Sequence, residues 1–236
     1  MYFKNFPLIY CVFEINGQRV LKTVKDITLN VRIRKAVLDS VTLYDEYDMQ
    51  DGETPELISH KIYGSSYYHW VVMLCNQRYD YTEDFPLSQN QLDLYCYRKY
   101  GKCTFQDTGD TVTIANHGLV NGETVSFSYI ETTTGIEPYT LYYVTNATTN
   151  TFKVSDAPSG GVKPLQNNGI GNIIEFAYKP HHYVNSAGYI VSSDQAGATP
   201  VTNFDYEVGI NEEKRRIKLI SPALLNTIVN QFKELI

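Results

Sequence analysis

One stretch restricts the fold of this chain more than any other, because it leaves no polar side for solvent. Residues 66–76 begin with a serine, end with an asparagine and are almost continuously apolar between them. In a helix, the bulky side chains of this stretch would point in nearly every direction: Tyr67, Tyr68, Trp70, Val71, Val72, Met73 and Leu74. Such a helix is stable only when other elements enclose it. The sequence therefore predicts a buried helix, with Ser66 as its N-cap, enclosed by this chain or by a partner.

The residues before that helix predict a strand, a turn and the start of another helix. Residues 41–47 are typical of a strand whose apolar side chains share one face: Val41, Leu43 and Tyr47. Asp51-Gly52 predicts a turn. Thr54 and Pro55 then have the residue types favoured at the N-cap and at the first position of a helix.

The first helix is predicted to be short and to present one apolar stripe. The stripe consists of Leu57, Ile58 and Ile62. Glu56 complements the positive end of the helix dipole. Gly64 is expected to end the helix in the left-handed conformation that glycine adopts easily.

Together, the strand, the Gly-Glu-Thr turn, the two helices, the Tyr-Gly pair between them and the closing asparagine resemble a LysM module. The matching residues are Tyr47, Gly52, Glu53, Thr54, Leu57, Ile58, Tyr63, Gly64, Leu74 and Asn76. With Trp70, all of these except Glu53 are also the predicted core residues of the module. LysM domains bind N-acetylglucosamine polymers such as peptidoglycan, so the resemblance implies glycan binding as one function. Residues 79–86 stand where a LysM module has its second strand.

A narrower resemblance follows from the order of four features. They are the Trp70-to-Asn76 run, the Tyr79-Asp80-Tyr81 loop, a helix capped by Ser88 and ending in Lys99-Tyr100-Gly101, and the segment 213–220. In these features the chain resembles the LysM-containing baseplate wedge proteins of T4-like contractile-tailed bacteriophages, over roughly residues 1–101 and 180–236. In that family the LysM-like fold is a structural clamp between wedges, which implies the same role here.

Residues 102–178 have a different character and predict a small all-β sandwich or barrel. Their short β-type segments are 111–114, 124–128, 141–144 and 151–154, with 173–176 as a candidate last strand. The segments resemble a β module that recurs in phage tail and fibre proteins. The predicted fold class is α+β, with four parts: an N-terminal β arm (1–40), a LysM-like core with its following helix (41–101), the inserted β domain (102–178), and a return segment with a β hairpin and a C-terminal amphipathic helix (179–236).

Three regions are candidate partner contacts. Asn16-Gly17 predicts a hairpin in the N-terminal arm. The densest basic cluster lies at 214–218, where charges are either solvated, paired with Glu212 and Glu213, or directed at an acidic face of another subunit. The apolar face of the last helix, which Ser221-Pro222 begins, docks on its own domain or in a partner's groove. The predicted contact residues are Phe3, Phe6, Arg215, Arg216, Leu225, Val229 and Phe232.

Net charge, apolar run length and the spacing of cysteine and histidine residues argue against several functions. The net charge of −6 argues against non-specific nucleic-acid binding, and no apolar run is long enough for a membrane span. The four cysteines have no metal-binding spacing and are expected to be reduced thiols. His181 and His182 are adjacent, so a strand would direct them to opposite faces, which is poor geometry for one metal. We therefore expect no metal and no cofactor.

The predicted function is structural. No nucleophile elbow, phosphate loop or HExxH helix is present, so the chain is predicted not to be an enzyme. The resemblance implies a virion protein of the tail baseplate, assembled in the host cytoplasm in multiple copies. Its expected partners are other wedge proteins and neighbouring wedges, with hub or sheath-proximal proteins as further candidates. The alternative is a peptidoglycan-binding LysM module.

Overall fold

The computed structural model describes residues 6–28, 44–81 and 83–235. The elements are β1 (Leu8–Ile15), β2 (Gln18–Lys25), β3 (Tyr44–Asp48), α1 (Pro55–Tyr63), α2 (His69–Cys75), α3 (Gln89–Tyr100), β4 (Lys102–Gln106), β5 (Thr111–Thr113), β6 (Thr124–Val125), β7 (Phe127–Glu131), β8 (Tyr142–Thr145), β9 (Thr151–Ser155), β10 (Gly169–Ile173), β11 (Pro180–Val184), β12 (Ile190–Val191), β13 (Thr199–Thr202), α4 (Asn203–Glu213), β14 (Arg216–Ile220) and α5 (Leu225–Leu235). The predicted mixture of helices and sheets is confirmed. Phe3 and residues 41–43 lie outside the described residues.

The chain divides into two compact units. Met1–Leu87 and Asn211–Ile236 form the first unit, and Ser88–Ile210 forms the second. The four-part division given by the sequence remains a prediction.

The first unit is held together by strands that are far apart in sequence. β3 pairs with β14 in antiparallel register, with Tyr47 opposite Ile217. Ile217 and Leu219 of β14 are buried with Ile58 of α1 and Val72 of α2. A second core combines Trp70 of α2 with other buried side chains: Phe6, Val71, Leu74, Cys75, Ile220, Leu225 and Phe232. The predicted enclosure of the apolar helix is therefore confirmed, and this chain supplies it.

The ends of α1 follow the predicted capping chemistry. The Thr54 side chain accepts a hydrogen bond from the Leu57 backbone N–H, and Pro55 starts the helix. Gly64 ends it with φ of 74°, and its N–H donates to the His60 carbonyl. Leu57 departs from the predicted stripe, because it is 51% exposed while Ile58 is fully buried. Consecutive residues differ by about 100° around a helix, and in α1 this turns Leu57 away from the side on which Ile58 is buried.

The start of the second helix also differs from the prediction. Ser65, not Ser66, is the cap, and its side chain accepts from the Tyr67 N–H. A short 3₁₀ turn at Ser66–Tyr68 follows, and α2 begins only at His69. Tyr67 is consequently exposed, whereas Trp70, Val71, Val72 and Leu74 are buried.

The second unit contains a seven-stranded, nearly closed, barrel-like sheet. Its strand order is β6-β8-β9-β5-β4-β10-β7. The two outer strands follow each other in the chain with only Ser126 between them. At this corner the Ser126 N–H donates to the Glu175 carboxylate, and the Ser126 carbonyl accepts from the Ile174 N–H. The sheet encloses a core of its own: Cys103, Phe105, Val112, Leu119, Val125, Phe127, Ile136, Tyr142, Val144, Phe152, Val154, Leu165, Ile173 and Phe176.

In this unit one predicted strand needs correction and one strand was missed. The candidate last strand at 173–176 is wrong beyond Ile173, because β10 ends there and Glu175–Tyr178 forms a 3₁₀ turn. β4 was not predicted, although its alternating buried and exposed residues are typical of a strand with one inward face. The hairpin of β11 and β12 is present as predicted.

Within the second unit, a buried carboxylate of α4 is bonded to the end of α3. Ser88 and Gln91 form a capping box at the start of α3. At its other end, Lys99 and Tyr100 donate to the Glu207 side chain of α4 at 2.7 and 2.6 Å. The Glu207 residue is only 4% exposed. A buried charge is tolerated when it is paired and hydrogen-bonded in this way.

Replacing Gly101 with alanine is expected to destabilise the second unit. A Cβ atom at Gly101 would lie 2.0 Å from the Ile173 carbonyl oxygen of β10. Because backbone cannot rotate away as a side chain can, we expect a loss of about 1–3 kcal/mol in the free energy of unfolding. Urea unfolding followed by far-UV circular dichroism measures this loss.

Gly209→Ala in α4 is the matched control, since nothing lies within 4 Å of its Cβ position. Alanine is the better helix former, so this variant should be neutral or slightly stabilised. Equal stability of the two variants would contradict the close approach of α3 and β10.

Candidate functional site

Asn76 connects the end of α2 to β14. Its side-chain N–H₂ donates to the carbonyls of Val72 and Lys218, each at 2.8 Å. Its side-chain oxygen accepts from the Lys218 N–H at 2.7 Å. The amide side chain therefore satisfies the Lys218 backbone as a neighbouring strand would. This arrangement gives the predicted closing asparagine a defined structural role.

Glu53 organises the turn between β3 and α1. Its carboxylate accepts hydrogen bonds from the Tyr47 hydroxyl at 2.9 Å, from the Gln50 N–H at 2.8 Å, and from Lys61. The Glu53 side chain is only 6% exposed. Burial opposes ionisation of this carboxyl group, but the hydrogen bonds from Lys61, Gln50 and Tyr47 outweigh it and lower the pKa of Glu53. Burial and the Glu53 carboxylate raise the pKa of Tyr47.

The predicted core residues surround this turn and the two helices. Ile58, Trp70 and Leu74 are buried, and Tyr47 and Tyr63 are half-buried. The Tyr63 hydroxyl donates to the Ile220 carbonyl at 3.0 Å, which ties the end of α1 to the end of β14.

Three of the predicted partner contacts are instead core residues of their own unit. Phe6, Leu225 and Phe232 are each less than 10% exposed. The Phe232 ring lies 4.5 Å from the Trp70 ring and 6.3 Å from the Phe6 ring, measured between centroids. Val229 packs against the same core and is half-buried. The last helix thus docks on its own unit, because its apolar face completes the cluster around Trp70.

The two predicted arginines have different surroundings. Arg215 is held inside the first unit, where it donates to the Glu212 carboxylate at 2.7 Å and to the Met49 carbonyl at 3.1 Å. Arg216 has an exposed side chain, 3.5 Å from Asp48 and 3.8 Å from Glu46 across the β3–β14 pair. Exposed ion pairs of this kind contribute little stability. Of the two, Arg216 is the one accessible to a partner.

The N-terminal hairpin exposes many apolar side chains. Asn16 and Gly17 have φ of 51° and 74° and form the predicted turn between β1 and β2. Leu8, Tyr10, Val12 and Leu21 are each more than 60% exposed and lie on one face. Phe13, Ile15 and Val20 are between 37% and 42% exposed on the other face. Exposed apolar surface of this extent marks interaction sites.

The sequence contains a signal for this surface that the strand prediction did not use. Residues 8–13 are apolar without interruption, whereas a strand with one solvated face alternates between apolar and polar residues. A two-stranded hairpin cannot bury both of its faces by itself. The hairpin therefore presents apolar side chains on each face.

The two adjacent histidines do not lie on opposite faces, which corrects the prediction from strand geometry. A register shift between Pro180 and His182 interrupts β11. The Nδ1 atoms of His181 and His182 are 2.9 Å apart, and the His181 ring stacks on Tyr206 at 4.0 Å. Within the described ranges, no group of three or more histidine, cysteine or acidic residues could hold a metal ion. The same ranges contain no helix long and apolar enough to cross a membrane.

Comparison with known proteins identifies one family. Residues 3–150 match the family described as base plate wedge protein 53. The match continues past residue 102, so it does not set the predicted inserted domain apart from the rest of the chain. A search of curated proteins found no significant match.

Replacing Asn76 with alanine should destabilise the first unit by about 1–3 kcal/mol, because it leaves the Lys218 backbone groups without their partner. Urea unfolding followed by tryptophan fluorescence measures this effect, since Trp70 is the single tryptophan and lies in this unit. Gln77→Ala, at an exposed neighbouring position, is the control and should be near wild type. Wild-type stability of the Asn76 variant would show that α2 and β14 are held by packing alone.

Glu53→Gln should remove a pH-dependent part of the stability of the first unit. The folded-state pKa of Glu53 is lowered, so its contribution is present above the unfolded value near 4.5 and is lost as pH falls through the folded pKa. The wild type should therefore exceed the variant most at neutral pH, and the difference should shrink below pH of about 4.5. Urea unfolding at a series of pH values tests this, and a constant difference would contradict it.

Proposed function

Because the chain belongs to the base plate wedge protein 53 family, we propose that it clamps neighbouring wedges of a contractile phage baseplate around the hub. The family assignment supports a structural, non-enzymatic role, a location in the virion tail, and interaction with other baseplate proteins. In the proposed mechanism, many copies hold the wedges together during assembly. A signal from the host surface then rearranges their interfaces and allows the sheath to contract.

The first unit supports a LysM-like clamp. Its elements follow the order strand, helix, helix and strand, and the two strands, β3 and β14, pair in antiparallel fashion. In this proposal β14 replaces the second strand of a LysM module, although it comes from the far end of the chain. Asn76 and Tyr63, both part of the sequence resemblance, bond to the backbone of β14.

The observation that carries the proposal is the contrast between this unit and its hairpin. Trp70, Phe232 and Phe6 pack against one another, so the terminal helix and the N-terminal segment are anchored at one core. The hairpin that follows Phe6 has exposed apolar side chains on both of its faces. A packed unit that carries a hairpin with exposed apolar side chains has the form expected of a subunit that contacts a partner there.

The alternative function, peptidoglycan binding, rests on Asp51 to Tyr63 and the adjacent Tyr67. Leu57 and Tyr67 are 51% and 66% exposed, and a sugar ring can stack on an exposed aromatic side chain. Glu53, in contrast, already accepts hydrogen bonds from Tyr47, Gln50 and Lys61 and has little remaining capacity for a ligand. We therefore favour the clamp.

A paired binding assay separates the two functions. Purified protein is tested against insoluble peptidoglycan and, separately, against the other wedge proteins of its phage. The clamp predicts stable co-assembly without retention on peptidoglycan, and it predicts that Tyr67→Ala leaves co-assembly unchanged. Retention on peptidoglycan that Tyr67→Ala abolishes, without co-assembly, would overturn the clamp and support the alternative.

A further inference from the structure

The hairpin has two outer edges whose backbone directions follow from its register. A two-residue loop makes Ile15 and Gln18 a pair that exchanges both backbone hydrogen bonds, and such pairs alternate along an antiparallel ladder. The bond from the Asp26 N–H to the Pro7 carbonyl, at 2.9 Å, fits this alternation. The residues of β1 with N–H and C=O groups directed away from β2 are therefore Leu8, Tyr10, Val12 and Glu14. On β2 the corresponding residues are Arg19, Leu21, Thr23 and Lys25.

Neither outer edge pairs with another strand within the described residues, where β1 and β2 form a sheet of two. An open strand edge is a template for pairing with another chain, and proteins commonly protect such edges with charged side chains. The two edges of this hairpin can therefore be compared by their charges.

The two edges are protected unequally. β2 carries three cationic residues, and of these Arg19 and Lys22 are exposed along its length, while Lys25 donates to the Phe6 carbonyl at 2.6 Å. The one charged residue of β1 is Glu14, next to the turn, and the segment Leu8 to Phe13 contains no charge, no proline and no glycine. Six uncharged residues of high β propensity are typical of strands that pair with other strands. The edge of β1 is thus open to pairing, while the edge of β2 is shielded.

We propose that β1 accepts a strand from another baseplate protein along its outer edge, which converts the hairpin into a three-stranded sheet. This rests on the function proposed above and specifies how the partner is held. Main-chain hydrogen bonds supply affinity in this mode of recognition, and side chains supply specificity. Because both faces of β1 are apolar, the partner strand is expected to be apolar at successive positions.

Val12 and Leu21 allow the edge to be distinguished from the face. They lie directly opposite each other, and each is more than 60% exposed on the same face. If a partner covered that apolar face, it would contact both side chains. If a strand adds to the edge of β1, it requires the N–H of Val12 and leaves that of Leu21 in solvent.

The experiment compares Val12→Pro with Leu21→Pro in the full chain. Each proline removes an outward N–H group and leaves the bonds between β1 and β2 in place. Binding to each purified wedge protein of the same phage is measured by calorimetry. We expect Val12→Pro to weaken binding by about tenfold or more and Leu21→Pro to change it by less than about twofold. Val12→Ala and Leu21→Ala, which keep both N–H groups, report the contribution of each side chain alone.

The outcomes separate the inference from the proposed function. If the wild-type protein binds no wedge protein, the clamp itself fails. If it binds and the two proline variants weaken binding equally, or neither does, strand addition at β1 is overturned while the clamp stands. If Val12→Pro abolishes only self-association in sedimentation, the strand comes from a second copy, which also overturns the proposal.

Hydrogen exchange at the Phe13 and Ile15 amides, which face β2, verifies that the hairpin survives each proline. If a proline opens the hairpin, Tyr10→Lys and Thr23→Lys replace the pair, since they place one charge on each edge at opposed positions. Tyr10→Lys should then abolish binding and Thr23→Lys should preserve it. The reverse result, or an equal effect, would contradict pairing at β1.

Discussion

The antiparallel pairing of β3 with β14 is the contact on which the first unit depends. A two-stranded sheet is unstable alone, so this pair persists because its buried face packs on α1 and α2. Ile217 and Leu219 supply that face, and Asn76 bonds to the backbone of Lys218 between them. The two strands come from distant parts of the chain, and closing such a long loop costs entropy that grows only slowly with its length. The buried contacts of the closed unit offset that cost.

Because the entropy cost of loop closure grows slowly with length, the second unit can occupy the middle of the chain. Residues 88–210 have their own core and their own sheet, which the corner at Ser126 brings close to closure. A unit with a complete core of its own can fold by itself, so it can be inserted into an exposed loop of another domain. The sequence resemblance placed the boundaries of an inserted domain at 102 and 178, inside this unit, and those boundaries remain a prediction.

Helix caps could be predicted from the sequence, but contacts between residues that are far apart in the chain could not. The caps at Thr54, Gly64 and Ser88 were predicted correctly, because capping depends on a few neighbouring residues. The partner of β3 was not found, since nothing near residue 216 marks it as the second strand of a module that ends at Asn76. Phe232 was assigned to a partner for the same reason, because an apolar helix face has the same pattern whether it docks within its unit or on another protein.

The hairpin of β1 and β2 contributes no residue to the described cores, and many of its apolar side chains are exposed. The uncharged segment Leu8 to Phe13 of β1 contrasts with β14, whose Arg216 faces acidic residues of β3. Amide hydrogen exchange, compared between the free protein and the assembled baseplate, tests most directly whether a partner pairs with β1. We predict that the amides of Leu8, Tyr10 and Val12 exchange rapidly in the free protein and become protected on assembly, while β14 is protected in both. Equal exchange of these hairpin amides in the two states would contradict the pairing of β1 with a partner in the baseplate.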